Sequence, residues 1–153
     1  MGAAPMTPST GDSGDTIRLT IGSRLEQLSM VHALIAGLAR QYELGDETEN
    51  ALMIAVIEAG TNAIQHGNVF ADDKSVTFDF TVRPDGVIVR VDDFGQGFDP
   101  RKVANPTDDS HLLNPHGRGL YLMRSLMDEV TFDTRADHGT TVILRKARLT
   151  PAR

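Results

Sequence analysis

The chain has 153 residues, 40% of them hydrophobic, which is enough to bury the core of one domain but short for two well-developed ones. Its net charge of −6 comes without any dense run of Lys and Arg, which argues against direct nucleic-acid binding, and the lack of cysteine removes disulfides, zinc–thiolate sites and thiol nucleophiles. No stretch approaches the ~20 apolar residues of a membrane span, and the N-terminus lacks the charged-then-apolar order of a secretory signal, so a cytoplasmic protein without membrane attachment is expected.

Residues 1–14, rich in Gly, Pro, Ser and Thr and poor in apolar side chains, read as a flexible tail. Ile17, Leu19 and Ile21 alternate with polar residues as in a half-buried strand. Ser23 and Glu26 have the spacing of a capping box, opening a helix whose apolar positions run from Leu25 through Leu28, Val31, Leu34 and Ile35 to Leu38. A second helix is expected from Asp46 to Gly67, with Leu52, Ala55, Val56, Ala59 and Ala63 on its apolar face. Val76, Phe78, Phe80 and Val82, then Val87, Val89 and Val91, alternate on either side of Pro84-Asp85-Gly86 and predict an antiparallel hairpin.

Residues 99–116 contain three prolines and little periodicity, the pattern of a long loop or lid. Helical character returns from Gly119 to Met127, where Met123 and Met127 read as core. Val130 and Phe132, with Val142 and Leu144, form a closing hairpin before a short tail at 149–153. The count is about five strands and three helices. An α+β, two-layer sandwich follows, with a mixed, mostly antiparallel sheet and the helices on one face, spanning residues 15–148 as one domain.

Four segments carry candidate chemistry. Glu58, Asn62 and His66 recur at four-residue spacing and share one stripe of a helix, although a solvated polar face would read the same way. Asp93, Gly95 and Gly97 follow a strand directly, and glycines there let backbone approach a flat ligand beside a carboxylate; taken alone this is also an ordinary turn. Gly117-Arg118-Gly119-Leu120 reads as a loop just before a helix, where free N–H groups and the helix dipole favour phosphate. Gly139-Thr140-Thr141 opens a strand and by itself is common turn chemistry. His111, His116 and His138 fall in loops without metal-site spacing, and His66 is expected to bound the pocket or cap the helix.

The order of these segments resembles the GHKL ATPase superfamily and its Bergerat nucleotide-binding fold, from about Leu52 to Lys146. Within it, the run from Glu58 to Asn68, together with His116 to Leu120 and Leu126-Met127-Asp128, looks most like the anti-sigma-factor serine/threonine kinases of bacteria. The resemblance implies an ATP- and Mg²⁺-dependent kinase that phosphorylates a STAS-domain anti-anti-sigma partner, sequesters an RNA polymerase sigma factor and forms a homodimer. It also implies roles. Glu58 would act as catalytic base, Asn62 as Mg²⁺ ligand, and Asp93 with Thr140 as the adenine-recognising pair. Gly95 and Gly97 would leave room for the base, while Gly117, Arg118, Gly119 and Leu120 close over the phosphates. The alternative is a nucleotide-gated binding module that transfers no phosphate. A detached histidine-kinase catalytic domain is disfavoured, because the residues before Leu52 read as tail, strand and one helix rather than a hairpin carrying an acceptor histidine.

Overall fold

A computed structural model describes residues 14–96 and 115–148. The expected tails and the lid at 99–116 fall largely outside them, as does Gly97.

The chain enters as β1 (Asp15–Gly22), makes a single 3₁₀ turn (Leu25–Gln27) and runs into α1 (Leu28–Gln41) and α2 (Asp46–Asn62). A π-helical turn, Ala63–Gly67, extends α2, followed by β2 (Ser75–Arg83), β3 (Gly86–Asp92), α3 (Pro115–Leu126), β4 (Glu129–Thr134) and β5 (Thr140–Ala147). The strands lie in the order β1-β2-β3-β5-β4, and every ladder between them is antiparallel.

Period-two alternation places the sheet's apolar residues on one face. Val76, Phe78, Phe80, Val82, Val87, Val89, Val91 and Leu144 are buried there, with the Phe78 and Phe80 rings 6.5 Å apart. Ile35 and Leu38 of α1, Leu52, Ala55 and Val56 of α2, and Leu120 and Met123 of α3 pack into the same core. The opposite face is polar: Arg18 of β1 grips Asp79 of β2 through two bonds of 2.7 and 2.9 Å, and the Thr16 and Thr81 hydroxyls pair at 3.0 Å.

Two local readings are corrected. The capping box does not form: the Ser23 hydroxyl donates to the Lys74 carbonyl at 2.7 Å and accepts from the Asn68 amide, while Gln27, not Glu26, reaches back to the Gly22 N–H at 2.6 Å. Tertiary partners outcompeted the local cap. Gly117 to Leu120 is not a loop preceding a helix either, because α3 already begins at Pro115. Proline fits a first helical position, having no N–H to lose there.

The central helix, α2, sits close to its neighbours because it offers small residues. A Cβ on Gly60 would lie 2.8 Å from Leu28 Cδ2 and 3.0 Å from the Phe78 ring, so no larger side chain fits between α2, α1 and the sheet. Gly60→Val should therefore overpack this contact and lower stability by about 1–3 kcal/mol, read from urea denaturation.

Candidate functional site

The ladder between β3 and β5 does not stop at Asp92. The Asp93 N–H donates to the Thr140 carbonyl at 3.0 Å, so Asp93 and Thr140 are held side by side where both strands end. The Asp93 carboxylate is buried, and its Oδ1 accepts from the N–H groups of Gly95 (2.9 Å) and Thr140 (3.1 Å). Burial pushes this carboxyl above the usual carboxylate range. The two N–H bonds and the nearby Arg135 charge pull against that shift, and Asp92 adds to it.

The end of α2 completes this pocket. In the π-helical turn, Asn68 N bonds to the Ala63 carbonyl at 2.8 Å, one residue further back than in an α-helix, and Gly67 is brought against Asp93 and Gly95. A side chain on Gly67 would collide with the Asp93 carboxylate, and one on Gly95 with the Gly67 carbonyl. The resulting pocket, about 20 Å³, is lined mainly by apolar groups of Ala59, Ala63, Val91, Met123, Phe132 and Val142, with Asp93 and Thr140 as polar features. The Thr140 hydroxyl is buried there and has no hydrogen-bond partner among the described residues. Such a group is costly unless something else satisfies it.

A second, polar cleft of about 330 Å³ adjoins the first, lined by Glu58, Thr61, Gln65, Arg118, Gly119 and Leu122. Asn62 and His66 line both. The Glu58–Asn62–His66 stripe expected from the sequence thus faces one continuous trough. From the other side α3 closes in: a Cβ on Gly119 would stand 2.7 Å from Glu58 Oε2 and 3.6 Å from Asn62 Nδ2. Arg118 is exposed in the cleft, whereas the Leu120 side chain is buried in the core. Gly117 lies in the first turn of α3. Among the described residues, no three His, Asp or Glu side chains cluster as a metal site.

Two residues important to this geometry went unassigned in the sequence reading. Asn68, buried, donates to Ser23 Oγ and to the Ser75 carbonyl at 2.9 Å each and accepts from the Phe94 N–H at 2.7 Å, tying the turn after β3 to the end of α2. Its position just after Gly67 was the one signal available. Arg135, in the β4–β5 turn, bonds Asp92, Thr141 and the carbonyls of Asp93 and Thr140. Nothing local in the sequence separates it from an exposed turn arginine.

Residues 21–146 match the family model described as a histidine kinase-like ATPase domain, and the chain belongs to that class of ATP-using domains. Within the class it belongs to the serine-protein kinase RsbW family. It is 35% identical to serine-protein kinase RsbW of Bacillus subtilis strain 168 over 144 residues, covering 88% of this chain and 87% of that protein. It is 30% identical to the RsbW of Listeria monocytogenes serotype 4a over 141 residues, covering 86% and 87%. The crystal structure of the RsbU and RsbW domains of a Mycobacterium tuberculosis protein has the same fold, with a TM-score of 0.62 at 19% identity; the match covers 91% of this chain and 34% of that one. No helix among the described residues is long and apolar enough to cross a membrane.

The Asp93 carboxylate yields a test of the free protein. Because its folded-state pKa is raised, the ionised form costs stability at pH values above that pKa, and the cost disappears as pH falls below the unfolded value. Asn in its place keeps an acceptor for Gly95 and Thr140 without the buried charge. Asp93→Asn should therefore melt at or above the wild-type temperature at neutral pH, with the advantage shrinking as pH is lowered through the acid range in calorimetric scans.

Proposed function

We propose that this chain transfers the γ-phosphoryl group of ATP to a Ser or Thr of a STAS-domain anti-anti-sigma protein, and that it sequesters an RNA polymerase sigma factor when that partner is unavailable. The observation that carries the nucleotide half is the Thr140 hydroxyl, buried without a partner among the described residues beside the Asp93 carboxylate in a small, largely apolar pocket. A purine carrying an amino group answers both. Asp93 accepts from the amino group and Thr140 supports the same edge, while Gly95, with no side chain, lets the Gly67 carbonyl close in beside them.

The polar cleft suits the phosphates. Asn62 and Glu58 face it from α2, and Arg118, Gly119 and Leu122 face it from α3, the helix whose first turns also hold Gly117 and Leu120. Asn62 would hold Mg²⁺ through its amide oxygen, with phosphates and water completing the shell. The ion, when bound, neutralises charge on the transferring group. Glu58 orients the attacking hydroxyl and takes its proton as the new O–P bond forms and the bond to the departing ADP breaks. Phosphoryl transfer of this kind is loose, so positioning counts for more than base strength.

Family membership supports the serine-kinase chemistry, and the −6 charge supports protein partners rather than nucleic acid. A homodimer acting in the cytoplasm is part of the same reading.

Glu58→Gln tests the transfer step. With labelled ATP and the products of neighbouring genes, the variant should bind Mg-ATP as wild type does yet label its partner ~10²–10⁴-fold more slowly, the usual cost of a missing general base. The product should be an acid-stable phosphoester. Wild-type protein that binds ATP but labels no partner would replace the kinase with a nucleotide-gated binding module. Asn62→Ala should remove the Mg²⁺ dependence of ATP binding; equal dependence in the two proteins would take Asn62 out of the metal's shell.

A further inference from the structure

We propose that Arg135 is a positioning residue for nucleobase recognition, the group that fixes the distance and angle between Asp93 and Thr140 and through them the preference for adenine. The inference rests on the nucleotide reading above and concerns a residue remote from the phosphate cleft.

The side chain is only 18% exposed. Its Nη1 lies 3.0 Å from each of Asp92 Oδ1, the Thr140 carbonyl and Thr141 Oγ1, which share its two N–H groups, and its Nη2 donates to the Asp93 carbonyl. Thr141 Oγ1 in turn donates to Asp92 Oδ1 at 2.5 Å, and the guanidinium lies 5.1 Å from the Phe94 ring centroid. One planar cation therefore holds the last residue of β3, the residue after it and the first two residues of β5. A lysine ammonium has no fork that reaches acceptors in these directions.

The turn that carries Arg135 is closed largely by other bonds, the side chain adding one Nε contact with the Asp137 carboxylate at 3.2 Å. Arg135 N bonds to the Gly139 carbonyl at 2.8 Å, His138 N to the Arg135 carbonyl at 2.9 Å, and Gly139 N to Asp137 Oδ1 at 2.9 Å. The guanidinium's Nη bonds are directed at the pocket end of the two strands. Gly139 is what lets it lie there: a Cβ at that position would collide with Nη2 and with the Asp93 carbonyl. The Gly-Thr pair that opens β5 thus has a specific use, glycine admitting the guanidinium and threonine facing the pocket.

A guanine presents a carbonyl oxygen where adenine presents an amino group, so a rigidly placed Asp93 carboxylate favours adenine and repels guanine. If Arg135 sets that placement, Arg135→Gln should weaken ATP binding by about tenfold while changing GTP binding by less than about twofold, narrowing the ATP/GTP ratio. Gly139→Ala should narrow it likewise, although Arg135 is still present. Arg135→Lys should recover only part of the ratio. The measurement is calorimetric titration of the full chain with ATP and with GTP in Mg²⁺, alongside the melting temperature without nucleotide. A fall of both affinities in equal proportion, tracking the melting temperature, would make Arg135 a hairpin strut and overturn the proposal, as would an unchanged ratio in both variants. Failure of wild-type protein to bind ATP would instead overturn the nucleotide reading on which the proposal rests.

Discussion

The Gly67 carbonyl occupies the space where a side chain on Gly95 would begin, and the Asp93 carboxylate occupies the space where one on Gly67 would begin. Backbone against backbone, this contact joins the end of α2 to the turn after β3, and the apolar pocket is the hollow left beside it. Asn68 locks the junction with three hydrogen bonds to three separate segments. A buried amide with all these partners stabilises one arrangement and penalises any other, because a partner withdrawn would leave a polar group stranded. Asp93 then has little freedom. Its N–H belongs to the sheet ladder and its Oδ1 to two more N–H groups, so the carboxylate is presented to the pocket in one orientation.

Holding Asn68 inside has a conformational cost. Immediately after it, Val69 and Phe70 both take left-handed backbone conformations, at φ 51° and 56°, and both side chains are exposed. A β-branched residue in that region is a genuine outlier, and each such residue costs on the order of 1–3 kcal/mol. The Phe70 N–H bond to the Ile64 carbonyl at 2.9 Å closes the reversal. Neither side chain gains burial from this placement. What the double reversal achieves is to turn the chain back sharply enough that Asn68 stays buried while β2 begins only seven residues later, at Ser75.

Period-two alternation made the strands legible, since each buried Val and Phe of β2 and β3 sits where the pattern puts it. The stripe of Glu58, Asn62 and His66 was legible for the same geometric reason at helical period. What escaped was decided by tertiary contacts. Ser23 carried the local signal of a cap but found better partners 45 and 51 residues away. The glycines at 117 and 119 suggested a loop, yet Pro115 was already a start signal, and Gly119 belongs in a helix because only glycine lets α3 approach Glu58. Arg135 could not be found from sequence at all, because its value lies in acceptors supplied by Asp92 and Asp93, more than forty residues upstream.

The two halves of the trough differ in how they are built. The apolar half ends on a hydrogen-bonded ladder between β3 and β5, where Asp93 bonds to Thr140 and the Arg135 guanidinium braces both strand ends. The polar half lies between side chains of two helices, Glu58 and Asn62 from α2 against Arg118 and Leu122 from α3. Side chains on helix surfaces are replaced more easily than ladder geometry, so in the proposed reading the identity of the nucleotide is the conservative property of this architecture.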